Sequence, residues 1–291
     1  MQSIISESIA AGFYNIDIDS STLVDLSKPE IKKQQLNNYE VCAKLTQFIR
    51  RIEPRGITVS VGGEIGEVGH QNSTPEDLRA FMAGFKERLR KGLVGISKIS
   101  IQTGTSHGGV VKTDGSIAEV KLDFNTLKTV SDIAQKEYGL GGAVQHGAST
   151  LPQELFHKFP ENNTLEVHLA TGFQNMMFDS RHFPADLKNK MYEWLKVNVA
   201  GERKTGETDE QFFYKARKKA LGPFKKDIMN IPQETRDAIT SEIEHKFDFL
   251  FKQLDAVNNR SLVDKYIVLK RVIVRPRKEV KEVVHDTEGA D

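Results

Sequence analysis

Four short segments carry the residues most able to do chemistry. They are Gly62-Gly63-Glu64-Ile65-Gly66, Thr103-Gly104-Thr105-Ser106-His107-Gly108-Gly109, Gln145-His146-Gly147-Ala148-Ser149 and His168-Leu169-Ala170-Thr171-Gly172. A carboxylate and imidazoles arriving from separate segments are donors that zinc accepts. Any one of these histidines alone is more simply a hydrogen-bonded structural residue. Three of them at the ends of successive predicted strands make a metal constellation the better reading. Neighbouring glycines let backbone amides come close to a ligand. Ser149-Thr150-Leu151-Pro152-Gln153-Glu154 reads as a helix start, either an ordinary cap or a phosphate cradle of amides and helix dipole.

These segments need elements that bring them to one edge. β-Branched runs at 13–18, 57–61, 96–102, 142–145 and 165–169 predict strands. Helical patterns at 31–52, 75–91, 122–138 and 152–159 lie between them. Strict alternation predicts a parallel sheet with helices outside it. In a parallel barrel the carboxyl ends of the strands converge on one face and build the site. Thr74-Pro75-Glu76-Asp77 marks one helix start by a capping hydroxyl, a proline and two acids. Beyond about residue 185 the pattern turns helical, with Ile239, Ile243, Phe247, Leu250, Leu254 and Val257 forming one stripe. A β-rich run at 266–274 and a disordered tail from about 281 are expected to follow. The predicted division is 1–185 as an α/β body and 186–291 as a mostly helical extension.

Composition removes several alternatives. The 291 residues carry 41 Lys and Arg against 40 Asp and Glu, so no net charge draws the chain to nucleic acid or an anionic membrane. The basic stretch from Lys215 to Lys226 reads as a solvated helix face, with Phe212, Phe213, Tyr214 and Phe224 as helix anchors. A single cysteine, Cys42, excludes an internal disulfide framework, and its apolar helical setting predicts a buried, inert thiol. No apolar run approaches the roughly 18 residues of a membrane span, and no signal peptide is visible. A soluble cytoplasmic protein is expected.

The ordered motifs resemble the class II, zinc-dependent fructose-bisphosphate aldolase family, including its tagatose-bisphosphate aldolase-like members. Gly63-Glu64-Ile65-Gly66-Glu67-Val68-Gly69 is similar to the family's Glu-Leu-Gly loop. Gly104 to Lys112 is similar to its Gly-x-x-His-Gly-x-Tyr-Lys motif, and His146-Gly147-Ala148-Ser149-Thr150 to its His-Gly-Gly-Ser-Gly. Residues 13–19 resemble the strand before the Glu loop.

The resemblance implies a (β/α)8 TIM barrel acting on a ketose 1,6-bisphosphate of the fructose or tagatose type. Zinc would polarise the ketone of a dihydroxyacetone phosphate-type triose and stabilise an enediolate that adds to a glyceraldehyde 3-phosphate-type aldehyde. Carried over by position, His107 and His146 are zinc ligands and Glu64 an alternative or second-site ligand. Gly108, Gly147 and Ser149 would hold substrate phosphate and a monovalent cation, joined by His168 and Thr171. Glu67 and His70 are the candidates for proton transfer. A homo-oligomer is expected, with neither nucleic acid nor membrane as partner. Two departures stand out. His168-Leu169-Ala170-Thr171-Gly172 replaces the family's Asn-x-Asp-Thr-Asp, keeping only Thr171. The family's Asp-His pair, source of its third zinc ligand and catalytic carboxylate, has no counterpart, and five predicted strands replace eight. The expectation is a barrel lacking its first strands. The alternative function is a sugar-phosphate-binding or accessory subunit without turnover.

Overall fold

The computed structural model describes residues 1–66, 71–104, 111–113, 116, 118 and 122–269. Five strands form one parallel sheet in sequential order: β1 Asn15–Asp17, β2 Ser60–Glu64, β3 Lys98–Ile101, β4 Ala143–Gln145 and β5 Thr164–Val167. The first helices are α1 Gln2–Ala10, α2 Ile31–Gln34, α3 Leu36–Ile52, α4 Pro75–Arg88 and α5 Phe124–Tyr138. A short α6, Lys158–Glu161, precedes β5, and α7, Thr171–Asp179, follows it. The remainder is α8 Ala185–Asn198, α9 Asp209–Ala216, α10 Lys225–Met229, α11 Gln233–Gln253 and α12 Arg260–Tyr266.

Period-two alternation in the strands sorts side chains onto two faces. Val61, Ile99, Ile101 and Ala143 join the main core, with Cys42, Leu45 and Ile49 of α3, Phe81 and Phe85 of α4, and Leu127 and Val130 of α5. The other face carries Gly62, Glu64, Lys98, Ser100 and Glu166, and it is concave. A flat five-stranded sheet would hold its edge strands roughly 19 Å apart, four spacings of about 4.8 Å. Here the Lys98 ammonium, on the middle strand, touches both edges at once, 2.9 Å from Asp17 of β1 and 2.5 Å from Glu166 of β5. The sheet is therefore rolled into a half-barrel.

Local chemistry explains where the elements match their sequence patterns and where they shift. Thr74 and Asp77 form a reciprocal capping box at the start of α4, as their spacing predicts. The second strand begins at Ser60 rather than 57, because Ile57 closes a turn onto Pro54 and ladder pairing starts with Ser60 N–H donating to the Tyr14 carbonyl. The predicted helix at 31–52 is split at Gln35 into α2 and α3. The predicted helix at 152–159 is not formed. Two 3-10 turns, Ala148–Thr150 and Gln153–Leu155, lead instead into α6. Pro152 has no N–H to continue the first turn, while Phe156 and Phe159 are drawn together into the core with their ring centroids 5.5 Å apart. The nine residues of α1 were not anticipated; they bury only Ile5 and Ile9, four residues apart.

A second apolar cluster gathers Phe178, Phe183, Met191, Leu195, Phe212 and Ile239. Two helices touch both clusters: α7 through Phe173 and Phe178, and α11 through Ile239 and Leu250. The basic stretch corrects the sequence reading in one place. Arg217 is buried, bonded twice to Asp179 and stacked over Phe178 and Tyr214, so it is a core cation and not a solvated one. Lys215 and Lys219 are neutralised by Glu207 and Glu202. The described part of the predicted β-run after 266 is not a strand: Tyr266 closes α12, and 267–269 pair with no strand. Residues from 270 onward, including the predicted tail, lie outside the described residues.

Candidate active site on the concave face

The inner face of the half-barrel is polar where barrel interiors are ordinarily filled by Val, Ile and Leu. Lys98 is fully buried at its centre. Its position depends on Gly62, its register partner on β2. A Cβ at residue 62 would lie 2.2 Å from Asp17 Oδ1 and 3.0 Å from Lys98 Cε. Only glycine leaves the ion pair its path across the strand.

One residue past the ends of β4 and β5, His146 and His168 stack with centroids 4.8 Å apart and planes 22° from parallel. His168 Nε2 lies 2.9 Å from Glu166 Oε2 and 3.7 Å from Asp17 Oδ2. Hydrogen bonds from His168 and Lys98 hold the Glu166 carboxyl down at about 2, against partial burial, which acts the other way. His146 places Nε2 3.3 Å from Ser100 Oγ and Nδ1 3.9 Å from Glu64 Oε1. Ligand atoms of Asp17, His146 and His168 all lie within 4.8 Å of one another. Asp17 lies on an edge strand and its side chain keeps 25% of its exposure.

The backbone under these groups is pinned. Asn38 of α3, fully buried, donates to the Glu64 carbonyl at 2.8 Å. Gln145 accepts from Thr103 Oγ1 at 2.7 Å and donates to the His146 carbonyl at 2.5 Å. Gly147 takes φ +69°, a left-handed conformation that turns the chain sharply after His146.

Of the residues read from sequence, Glu64, His146 and His168 meet on this face. Gly147, Ser149 and Thr171 lie alongside. Ser149 does not open a helix of its own, so the cradle of amides and dipole anticipated at Thr150 is absent. Its Oγ instead accepts from the Ala170 N–H at 3.2 Å, at the start of α7, with Gly172 packed beside it. Glu67, His70, His107 and Gly108 lie outside the described residues. Sequence reading missed Asp17, Lys98 and Glu166 as site residues. Their signal was polar–apolar alternation within the strands (Asn15-Ile16-Asp17, Lys98-Ile99-Ser100, Glu166-Val167-His168), where a parallel sheet covered on both faces would read as continuous apolar residues.

The fold and face together define a parallel α/β half-barrel with ionisable groups gathered at the carboxyl ends of its strands. The profile of the family described as fructose-bisphosphate aldolase class-II matches residues 3–253, and the chain belongs to that family. No curated protein matches it. Among solved structures it is similar to a probable tagatose 6 phosphate kinase from Sinorhizobium meliloti 1021, with TM-score 0.53 and 14% identity over 91% of this chain and 67% of that one. The fructuronate-tagaturonate epimerase UxaE from Cohnella laeviribosi gives 0.52 and 12% over 87% and 66%. A fructose-bisphosphate aldolase from Campylobacter jejuni gives 0.44 and 17% over 84% and 61%. The chain thus spans about two thirds of the length of these structures. No helix among the described residues is long and apolar enough to cross a membrane.

Proposed function

We propose that this chain is a zinc-dependent aldolase that cleaves or forms a ketose 1,6-bisphosphate of the fructose or tagatose type. The observation that carries the reading is the family match over residues 3–253 together with His146 and Glu64 side by side on the concave face. Imidazole and carboxylate are zinc donors, so the residues fit the metal. His146 would hold it with His107, and Glu64 would serve as an alternative ligand. When bound, zinc supplies a Lewis acid for a carbonyl oxygen of the substrate. Everything else falls to the protein. Glu67 and His70 are the proposed proton-transfer groups. Ser149 and the start of α7, with Gly147, Gly108, His168 and Thr171, are the proposed seat for phosphate and a monovalent cation, since helix N-termini present N–H groups to anions. Closure to a (β/α)8 barrel, division near residue 185, a homo-oligomer and a cytoplasmic setting belong to the same proposal. Five parallel strands in sequential order support the first, and the two apolar clusters the second.

One observation favours a second reading, a sugar-phosphate-binding accessory subunit. These 291 residues hold no Asp-His pair, the source of the family's third zinc ligand and catalytic carboxylate, so binding could stand without turnover. A coupled assay of triose phosphate release, with and without added zinc, separates the two. Turnover supports the aldolase. Tight binding of bisphosphate without turnover supports the accessory subunit.

A further inference from the structure

We propose that residues 260–271 are an exchange arm through which two copies of this chain associate. The arm of each copy sits in an aromatic and acidic cavity along α11 of the other. The inference deepens one part of the reading above, the homo-oligomer, on which it rests, and is independent of the aldolase chemistry. The arm lies beyond residue 253, where the family match ends, so membership of the family does not account for it.

Three observations carry it. The first is the arm itself. Every residue from Arg260 to Leu269 is exposed, and α12 buries none of its seven. Yet Leu262, Val263, Tyr266, Ile267, Val268 and Leu269 are large and apolar, and the sequence runs on through Val272-Ile273-Val274. Helices shorter than about 12 residues are marginal in water without packing, and an exposed apolar run of this length marks an interaction surface. The second is the cavity. Glu244, His245, Phe247, Asp248 and Phe251 line a surface cavity of about 630 Å³. Phe251 and Phe247 are exposed and stack 5.8 Å apart, and Phe247 stacks at 4.8 Å on Phe173, which packs against the main core. That row anchors an aromatic wall for arriving apolar side chains. The third is charge. Among the described residues neither Glu244 nor Asp248 has an ion-pair partner. Lys246, between them in sequence, is turned away over the Phe156 and Phe249 rings. The arm carries Arg260, Lys265, Lys270 and Arg271 against Asp264 alone. Apolar surface flanked by opposite charges fits arm to cavity. The occupant is a second copy because residues 260–269 already have a position in their own chain, and it buries none of them. Arm and cavity on one chain are the self-complementary surfaces that a two-fold pair requires.

The test is sedimentation equilibrium of the full chain over a range of concentrations. The wild type should dimerise. Tyr266→Glu on the arm and Phe251→Lys in the cavity change exposed side chains, so the fold should survive both. Each should raise the dimer Kd about a hundredfold, because each removes an aromatic anchor from both contacts of the pair. Mixing the two variants should restore part of the association. A mixed pair keeps one contact between an intact arm and an intact cavity, which neither variant has alone. Tyr266→Cys mixed with Phe251→Cys should also cross-link on oxidation faster than either protein by itself. Cys42 does not compete, since it is buried and its thiol is pushed up to about 12. A monomeric wild type overturns the arm together with the homo-oligomer and leaves the aldolase to its own assay. A dimer that survives both charged variants, or two monomeric variants that fail to rescue each other, overturns the arm and leaves the homo-oligomer.

Discussion

Asp17 and His168 stand on opposite edges of a five-stranded sheet, yet Asp17 Oδ2 and His168 Nε2 lie 3.7 Å apart. The sheet can bring them together only by rolling, and Lys98 at its centre holds both edges through Asp17 and Glu166. The same curvature that shapes the half-barrel therefore assembles its polar face.

Lys98→Met removes the buried cation and leaves two carboxylates facing each other. Removing one partner of a buried pair costs about 3 to 5 kcal/mol. Asp17 and Glu166 keep a quarter to a third of their side-chain exposure, which moves the expected loss to about 3 kcal/mol. Urea unfolding measures it. An unchanged midpoint would show that Lys98 does not tie the edges.

Gly62→Ala should destabilise without altering any charge. The added Cβ meets Asp17 Oδ1 at 2.2 Å, so Asp17 or the strand has to move. Overpacking of this kind costs about 1 to 3 kcal/mol. Asp17 should be displaced from Lys98 in a crystal structure of the variant, and an undisturbed ion pair would contradict the account.

Acid should unfold the metal-free protein partly through Glu166. Its folded value, about 2, lies below its ordinary 4.5, so the fold favours the ionised form. The stability it contributes is full above about pH 4.5 and is lost as pH falls toward 2. Glu166→Gln should be less stable at neutral pH and lose less stability across that window. Parallel acid limbs in wild type and variant would place the acid sensitivity elsewhere.

Ser149→Ala should weaken sugar-phosphate binding by roughly 1.5 to 3 kcal/mol, the worth of a hydrogen bond to a charged acceptor. The Ala170 N–H that it also loses is exposed, so stability should barely change. Calorimetric titration with inorganic phosphate and with bisphosphate reads the effect. Indifference of both affinities would leave Ser149 as a partner for α7 alone.

The sequence reading succeeded where a local pattern decides the structure. Ile99 and Ile101 announce β3 by β-branching, and Thr74 to Asp77 announce α4 by capping chemistry. His146 and His168 stood out because each sits at a strand end. Lys98 and Glu166 did not, because they lie within strands, and attention to strand ends passes over them. The contact of β1 with β5 is a property of curvature, with no signature in either segment. At Ser149 a good capping pattern failed because Pro152 and the burial of Phe156 and Phe159 imposed tight turns instead. Arg217, set in a run of basic residues, was claimed by Asp179 in a core that no local pattern reveals.

Triose phosphate release from fructose and tagatose 1,6-bisphosphates decides whether the chain is a zinc-dependent aldolase. The full chain is assayed after chelation, after zinc is restored, and again with His146→Gln. The account predicts no release from chelated protein, release on restoring one equivalent of zinc, and a loss of at least a hundredfold in the variant. Release that persists after chelation, or that is unchanged in His146→Gln, would contradict it.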